Sequence, residues 1–166
     1  MKERKRYEKE FIERMMRHQG ILNKVCFVYS GSGVETDDLK QEIILQLWRS
    51  YPDFQGKSAF STWMYRVALN TALTYRKKRK LNDFHWESEQ VIDPRKFMDY
   101  SEDVQTLYRA IAQLNKVEKA IILLWLDEKP YQEIGETMGL SEKNVSVKLV
   151  RIKAKLANWI KEYQKI

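Results

Sequence analysis

The side chains able to recognise a partner in this chain are cations, amides and aromatics. Arg76, Lys77, Lys78, Arg79 and Lys80 place five positive charges in consecutive positions, and Trp63, Arg66 and Asn70 precede them at helical spacing. Aromatic faces stack on unpaired bases and cations hold phosphates, so the combination points to a nucleic acid, although a solvated helix end would carry the same charges. A second set lies nearer the C-terminus, in Lys143, Asn144, Ser146, Val147, Lys148 and Arg151. Asparagine can bond an adenine edge, arginine or lysine a guanine edge, and valine can touch a thymine methyl. Groups for covalent catalysis are not assembled. There is no glycine-rich phosphate loop and no carboxylate pair on a helix beside an obvious pocket, and Cys26, His18 and His85 lack metal-ligand spacing. No cofactor and no metal are expected.

Composition narrows the partner further. With 166 residues, 43% apolar content and a formal net charge of +7, the chain can build one ordinary domain or two small ones, and its charge favours a polyanion. A single cysteine rules out an internal disulfide and fits a reducing compartment. No stretch approaches the ~20 apolar residues that span a bilayer, and the first ten residues are mostly charged. The expectation is a cytoplasmic protein without membrane insertion.

The first recognition set needs a helix to carry it. Over Ser58–Lys80, the residues Phe60, Trp63, Met64, Val67, Ala68, Thr71, Ala72 and Tyr75 recur at three- and four-residue steps as one buried stripe. Thr62, Arg66, Asn70, Thr74 and Lys77 then take the wet face, with Ser61 as N-cap and a staple between Phe60 and Tyr65. Trp63 fits core and base stacking about equally. Upstream, residues 5–29 suggest one or two helices with Tyr7, Phe11, Met15, Leu22, Val25 and Tyr29 inside. A further helix over Asp38–Ser50, capped by Thr36 or Asp37, buries Leu39, Ile43, Ile44 and Leu47 and leaves Asp38, Gln41, Glu42 and Gln46 outside. Tyr51–Lys57 reads as a loop by its proline and glycine. After Lys80 the periodicity weakens and carboxylates gather, so residues 81–101 read as a linker.

Helical patterning returns at Glu102, with Val104, Leu107, Tyr108, Ile111 and Leu114 on one stripe, and continues in a nearly all-apolar helix over Lys116–Leu126. Pro130 opens the next helix, Tyr131–Met138. Gly139 can end it in the left-handed conformation, Ser141 can cap the helix that follows to about Tyr163, and Ile134, Met138, Leu140, Val145 and Leu149 can lock the crossing. This is a helix-turn-helix pattern, whose second helix enters a major groove. On that helix Val145, Leu149, Ile152, Leu156 and Trp159 or Ile160 face inward. An ordinary amphipathic helix with solubilising lysines is the plainer alternative.

The two patterns, in this order, resemble the bacterial sigma-70 family, specifically its small group IV, the extracytoplasmic function sigma factors. The segment from Asp37 to Trp48 resembles the family's contact with the clamp helices of the polymerase largest subunit. Phe54–Ala68 with Asn70 resembles its segment for melting and reading the minus-ten element. Gly139-Leu140-Ser141, Asn144-Val145, Lys148-Leu149, Arg151, Lys153 and Leu156 resemble its minus-thirty-five reader. Ser146 stands where the family often has a basic residue and Ile152 where it often has alanine.

What the resemblance implies is an all-α protein of two small helical domains, 1–80 and 102–166, joined by a flexible linker over 81–101. It would be a non-catalytic specificity subunit that binds core RNA polymerase and promoter DNA, is a monomer when free, and has an anti-sigma factor as a further partner. The minus-ten contacts would be the pocket wall Gln55, Lys57, Ser58, Phe60 and Ser61, then Trp63, Arg66, Asn70 and Arg76–Lys80. The minus-thirty-five contacts would be Ser141, Lys143, Asn144, Ser146, Val147, Lys148, Arg151 and Lys153, and the polymerase contacts Asp37, Asp38, Gln41, Glu42 and Gln46. A helix-turn-helix regulator acting alone is the main rival. A nuclease or phosphotransferase, or a membrane-surface protein, explains less.

Overall fold

A computed structural model describes residues 1–30, 33–82 and 101–165, with the side chains at 33, 34 and 76–82 outside that description. The linker expectation falls mainly on residues 83–100, which lie outside the described residues. The chain divides into two compact units, Met1–Ile92 and Asp93–Ile166, and the described residues form α-helices with one 3-10 turn and no strand.

The N-terminal unit contains α1 (Lys2–Arg17), α2 (Gln19–Tyr29), α3 (Gly33–Ser50), a 3-10 turn at Tyr51–Asp53, and α4 (Phe60–Asn82). Helix α4 packs against both α2 and α3. With two neighbours it needs a wide buried arc, and this corrects the expected stripe. Met64, Ala68 and Ala72 are buried as read, but Tyr65, Leu69 and Thr62 are buried with them, while Phe60, Trp63, Val67, Thr71 and Tyr75 are half-buried. Facing α4 in the same core are Leu22, Val25, Cys26, Val28 and Tyr29 of α2 and Leu39, Ile43 and Leu47 of α3. Ile44 is half-buried and Tyr7 is 36% exposed, so neither is full core.

The expected caps of this unit move as well. Helix α4 starts one residue before Ser61, and the Trp63 amide donates to the Ala59 carbonyl at 3.1 Å, which places Ser61 inside the first turn. Helix α3 starts at Gly33, ahead of Thr36 and Asp37. Thr36 is buried and its hydroxyl pairs with that of Ser30 at the end of α2, so it ties two helices together instead of capping one.

The C-terminal unit contains α5 (Glu102–Ala112), α6 (Lys116–Leu126), α7 (Tyr131–Met138) and α8 (Glu142–Gln164). Side chains cap the starts of α5, α6 and α8, while α7 opens behind Pro130 without one. Ser101 accepts from the Val104 amide at 3.4 Å. At α6 Asn115 and Glu118 form a reciprocal capping box, with bonds of 2.9 and 3.2 Å. Ala120–Leu124 of α6 are buried with Ile111, Ile134, Val145, Leu149, Ile152 and Leu156. On α5 only Ile111 of the expected stripe is fully buried. That helix packs on both α6 and α8 and inserts the smaller Thr106, Ala110 and Ala112.

Candidate nucleic-acid interface

The turn between α7 and α8 is built from residues few places apart. Gly139 has φ +70°, the left-handed conformation that releases the chain from α7. The Leu140 amide donates back to the Gly135 carbonyl at 2.8 Å. Gly135 is buried, and a Cβ there would run into the Leu140 carbonyl, so the close approach requires glycine. The Ser141 hydroxyl accepts from the Asn144 amide at 3.2 Å and caps α8.

At about 100° per residue, Lys143, Val147 and Val150 project away from the buried Val145, Leu149, Ile152 and Leu156. Ser141, Lys143, Asn144, Val147, Arg151 and Lys153 are exposed, while Ser146 and Lys148 are half-buried. Lys153 is partly committed within the unit, since its ammonium lies 4.0 Å from the centroid of the Trp125 ring, a cation-π contact. Lys148, Arg151, Ile152 and Lys155 line a cleft of about 570 Å3 with Asn115, Lys116, Val117 and Glu118 at the start of α6. There Lys155 pairs with Glu118 at 2.7 Å. Lys116, Lys155 and Val150 were absent from the sequence-derived site. Val150 is the most exposed large apolar side chain of α8, at 67%, and counting three residues on from Val147 would have placed it on the same outward face.

In the N-terminal unit the candidate surface is aromatic. Tyr7, Glu10, Arg14, Tyr51, Pro52, Phe54 and Gly56 line a cleft of about 640 Å3. Tyr51 is central, its ring centroid 4.9 Å from Tyr7, 5.0 Å from Phe11 and 6.4 Å from a nearly parallel Phe54. Trp63 sits 5.1 Å from Phe54 and 5.3 Å from Phe60, half-buried in the same cluster. At the cleft Arg14 pairs with Glu10 at 2.8 Å, and its guanidinium lies 6.0 Å from the Phe60 ring. Burial pushes the Tyr7 phenol up, and the carboxylates of Glu10 and Asp53 push the same way. Burial also raises Tyr51, with Arg14 opposing and Glu10 and Tyr7 adding to the rise. The shift moves both phenols further from neutrality than their ordinary value of about 10, and at neutral pH a tyrosine hydroxyl is already protonated and able to donate.

Of the expected minus-ten residues, Gln55, Lys57 and Asn70 are exposed and Ser58, Phe60, Ser61 and Arg66 are half-buried. The Arg76–Lys80 side chains lie outside the described residues. Sequence reasoning placed Tyr7 in the core and read Tyr51 only as an aromatic in a loop. The ring contacts that join them across some forty residues leave no periodic signal. On α3, Asp37 and Gln41 are exposed and Asp38, Glu42 and Gln46 half-buried. Glu42 and Gln46, bonded to each other at 3.0 Å, share a groove of about 260 Å3 with Asn70, Thr71, Thr74 and Tyr75. Two sets of residues expected to serve different partners thus adjoin.

The helix-turn-helix of α7 and α8, in a chain of two units whose described residues are helical, is the arrangement of a DNA-binding protein. Among the described residues no cluster of acidic, histidine or cysteine side chains could hold a metal, and no helix is long and apolar enough to cross a membrane. Models of Sigma-70 region 2 and Sigma-70 region 4 match residues 15–81 and 105–156. The ECF RNA polymerase sigma factor SigX of Bacillus subtilis (strain 168) is 28% identical over 139 residues, covering 77% of this chain and 71% of the relative. The ECF RNA polymerase sigma-E factor of Escherichia coli (strain K12) is 28% identical over 166 residues, covering 91% of this chain and 86% of the relative. A solved sigma factor, RpoE from Bartonella quintana in complex with the anti-sigma factor NepR, has a TM-score of 0.77 at 18% identity. It covers 92% of this chain and 98% of its own, and at that identity shows the fold. The chain belongs to the sigma-70 family, as a member of its extracytoplasmic function group. Members of this family are specificity subunits and not catalysts.

Proposed function

We propose that this chain brings core RNA polymerase to promoters, reads a minus-thirty-five element as duplex with α8, and captures an unpaired nontemplate base of the minus-ten element in the aromatic cleft. The observation that carries the reading is that cleft. Tyr7, Tyr51 and Phe54 line about 640 Å3 of open space beside the 54–59 loop, and a regulator acting through its helix-turn-helix alone has no use for it. Extruding a base costs a few kcal/mol, which stacking of about 1–3 kcal/mol per base and hydrogen bonds can offset. Tyr7 and Phe54 supply the faces, the buried Tyr51 and the half-buried Trp63 brace them from behind, and Gln55, Lys57 and Ser58 form the loop wall. Arg66, Asn70 and Arg76–Lys80 hold the strand and its phosphates.

In this reading residues 1–80 serve polymerase and the minus-ten element, 81–101 tether, and 102–166 serve the minus-thirty-five element. Asp37, Asp38, Gln41, Glu42 and Gln46 face the polymerase clamp. The protein works in the cytoplasm, is a monomer when free, and is held in check by an anti-sigma factor, the kind of partner named for the solved sigma factor described above.

Run-off transcription with core polymerase on a library of promoter fragments tests the proposal. Starts at defined positions are expected only when the chain is added. Site-specific DNA binding without a stable complex with core polymerase, and without new starts, would favour the stand-alone regulator.

A further inference from the structure

Val147 and Val150 are 42% and 67% exposed on α8, opposite the side that buries Val145, Leu149 and Ile152. Lys143, Asn144 and Arg151 beside them are exposed as well. A β-branched residue loses side-chain freedom in a helix and here gains no core packing in return. The stability of the unit therefore gives no reason for two valines on the one face that a helix-turn-helix turns towards DNA.

We propose that Val147 and Val150 form an apolar ridge that reads the methyl groups of two thymines on adjacent base-pair steps of the upstream element. This rests on the promoter reading given above. The partner follows from charge and chemistry, because Lys143 and Arg151 flank the ridge with cations suited to phosphates, and thymine displays the one methyl group of the major groove. Three residues of helix rise about 4.5 Å, against roughly 3.4 Å per step along a DNA strand. Neighbouring thymines fit that separation when α8 lies along the groove, and thymines several steps apart do not. Lys148 points to the cleft shared with α6, which leaves the ridge clear for base edges.

The test uses the full chain bound to core polymerase. Duplexes enriched by this complex from a random library are expected to carry an adjacent thymine pair in the upstream element. Replacing both thymines by deoxyuridine removes only the methyls and is expected to weaken binding about fifteenfold, at about fourfold for each methyl buried. The double variant Val147→Ala/Val150→Ala is expected to bind the thymine and uracil duplexes about equally. A variant that discriminates between them as well as the parent chain does overturns the proposal, as does an enriched element without the thymine pair. Enrichment of no sequence at all would overturn the promoter reading and this proposal with it.

Discussion

In the C-terminal unit the α7–α8 turn and the starts of α8 and α6 are held by bonds between residues three to five places apart: Leu140 to Gly135, Ser141 to Asn144, Asn115 to Glu118. In the N-terminal unit the candidate cleft is walled by rings from α1, the turn after α3 and the loop before α4. The first arrangement is set by local backbone geometry. The second exists only once α1 has docked, so every wall of the cleft is also part of the packing that keeps it open. A surface that reads duplex needs a rigid projection, whereas one that takes up an extruded base needs space between packed rings.

The largest effect that separates the two is expected at Tyr51. Tyr51 is only 6% exposed and its ring packs against those of Tyr7, Phe11, Phe54, Phe60 and Trp63, so Tyr51→Ala should destabilise the N-terminal unit by about 3–5 kcal/mol. Amide hydrogen exchange should show lost protection in α1–α4, with α5–α8 as internal reference. Equal loss in both units would break the contrast. Gly135→Val comes next. It drives a side chain into the Leu140 carbonyl at the turn, and overpacking of this kind costs about 1–3 kcal/mol. Here protection should fall in α7 and α8 while α1–α4 are unchanged, and an unaltered α7–α8 pair would show that the turn has room to spare.

The same division explains what could be read from the chain in advance. Gly139, Ser141 and the α8 core positions Val145, Leu149, Ile152 and Leu156 carry their instructions within a few residues, and the structure has them where spacing put them. The buried arc of α4 was misplaced because periodicity finds one stripe, whereas α4 has two neighbours and buries Thr62, Tyr65 and Leu69 between them. The role of Tyr7 and Tyr51 was hidden for a related reason. Tyr7 at helical spacing reads as core and Tyr51 as part of a loop, and only the docking of α1 against the turn after α3 brings the two together at one cleft. Thr36 shows the same limit on a smaller scale, since its pairing with Ser30 at the end of α2 outweighs the local preference of threonine for a cap.

The smallest expected effect concerns alkaline stability and belongs to the N-terminal unit. Burial raises the phenols of Tyr7 and Tyr51 above the ordinary value near 10. Above pH 10 the unfolded chain releases these protons while the folded unit still holds them. Stability is therefore fully present below about pH 10 and falls as pH rises towards the raised folded values. The double variant Tyr7→Phe/Tyr51→Phe keeps the rings and removes the titrating groups, so its denaturation midpoint should drop less between pH 9 and 11 than that of the parent chain (endpoints set roughly one unit either side of the ordinary phenol value). An identical drop in both proteins would mean that the two hydroxyls do not feel the cleft.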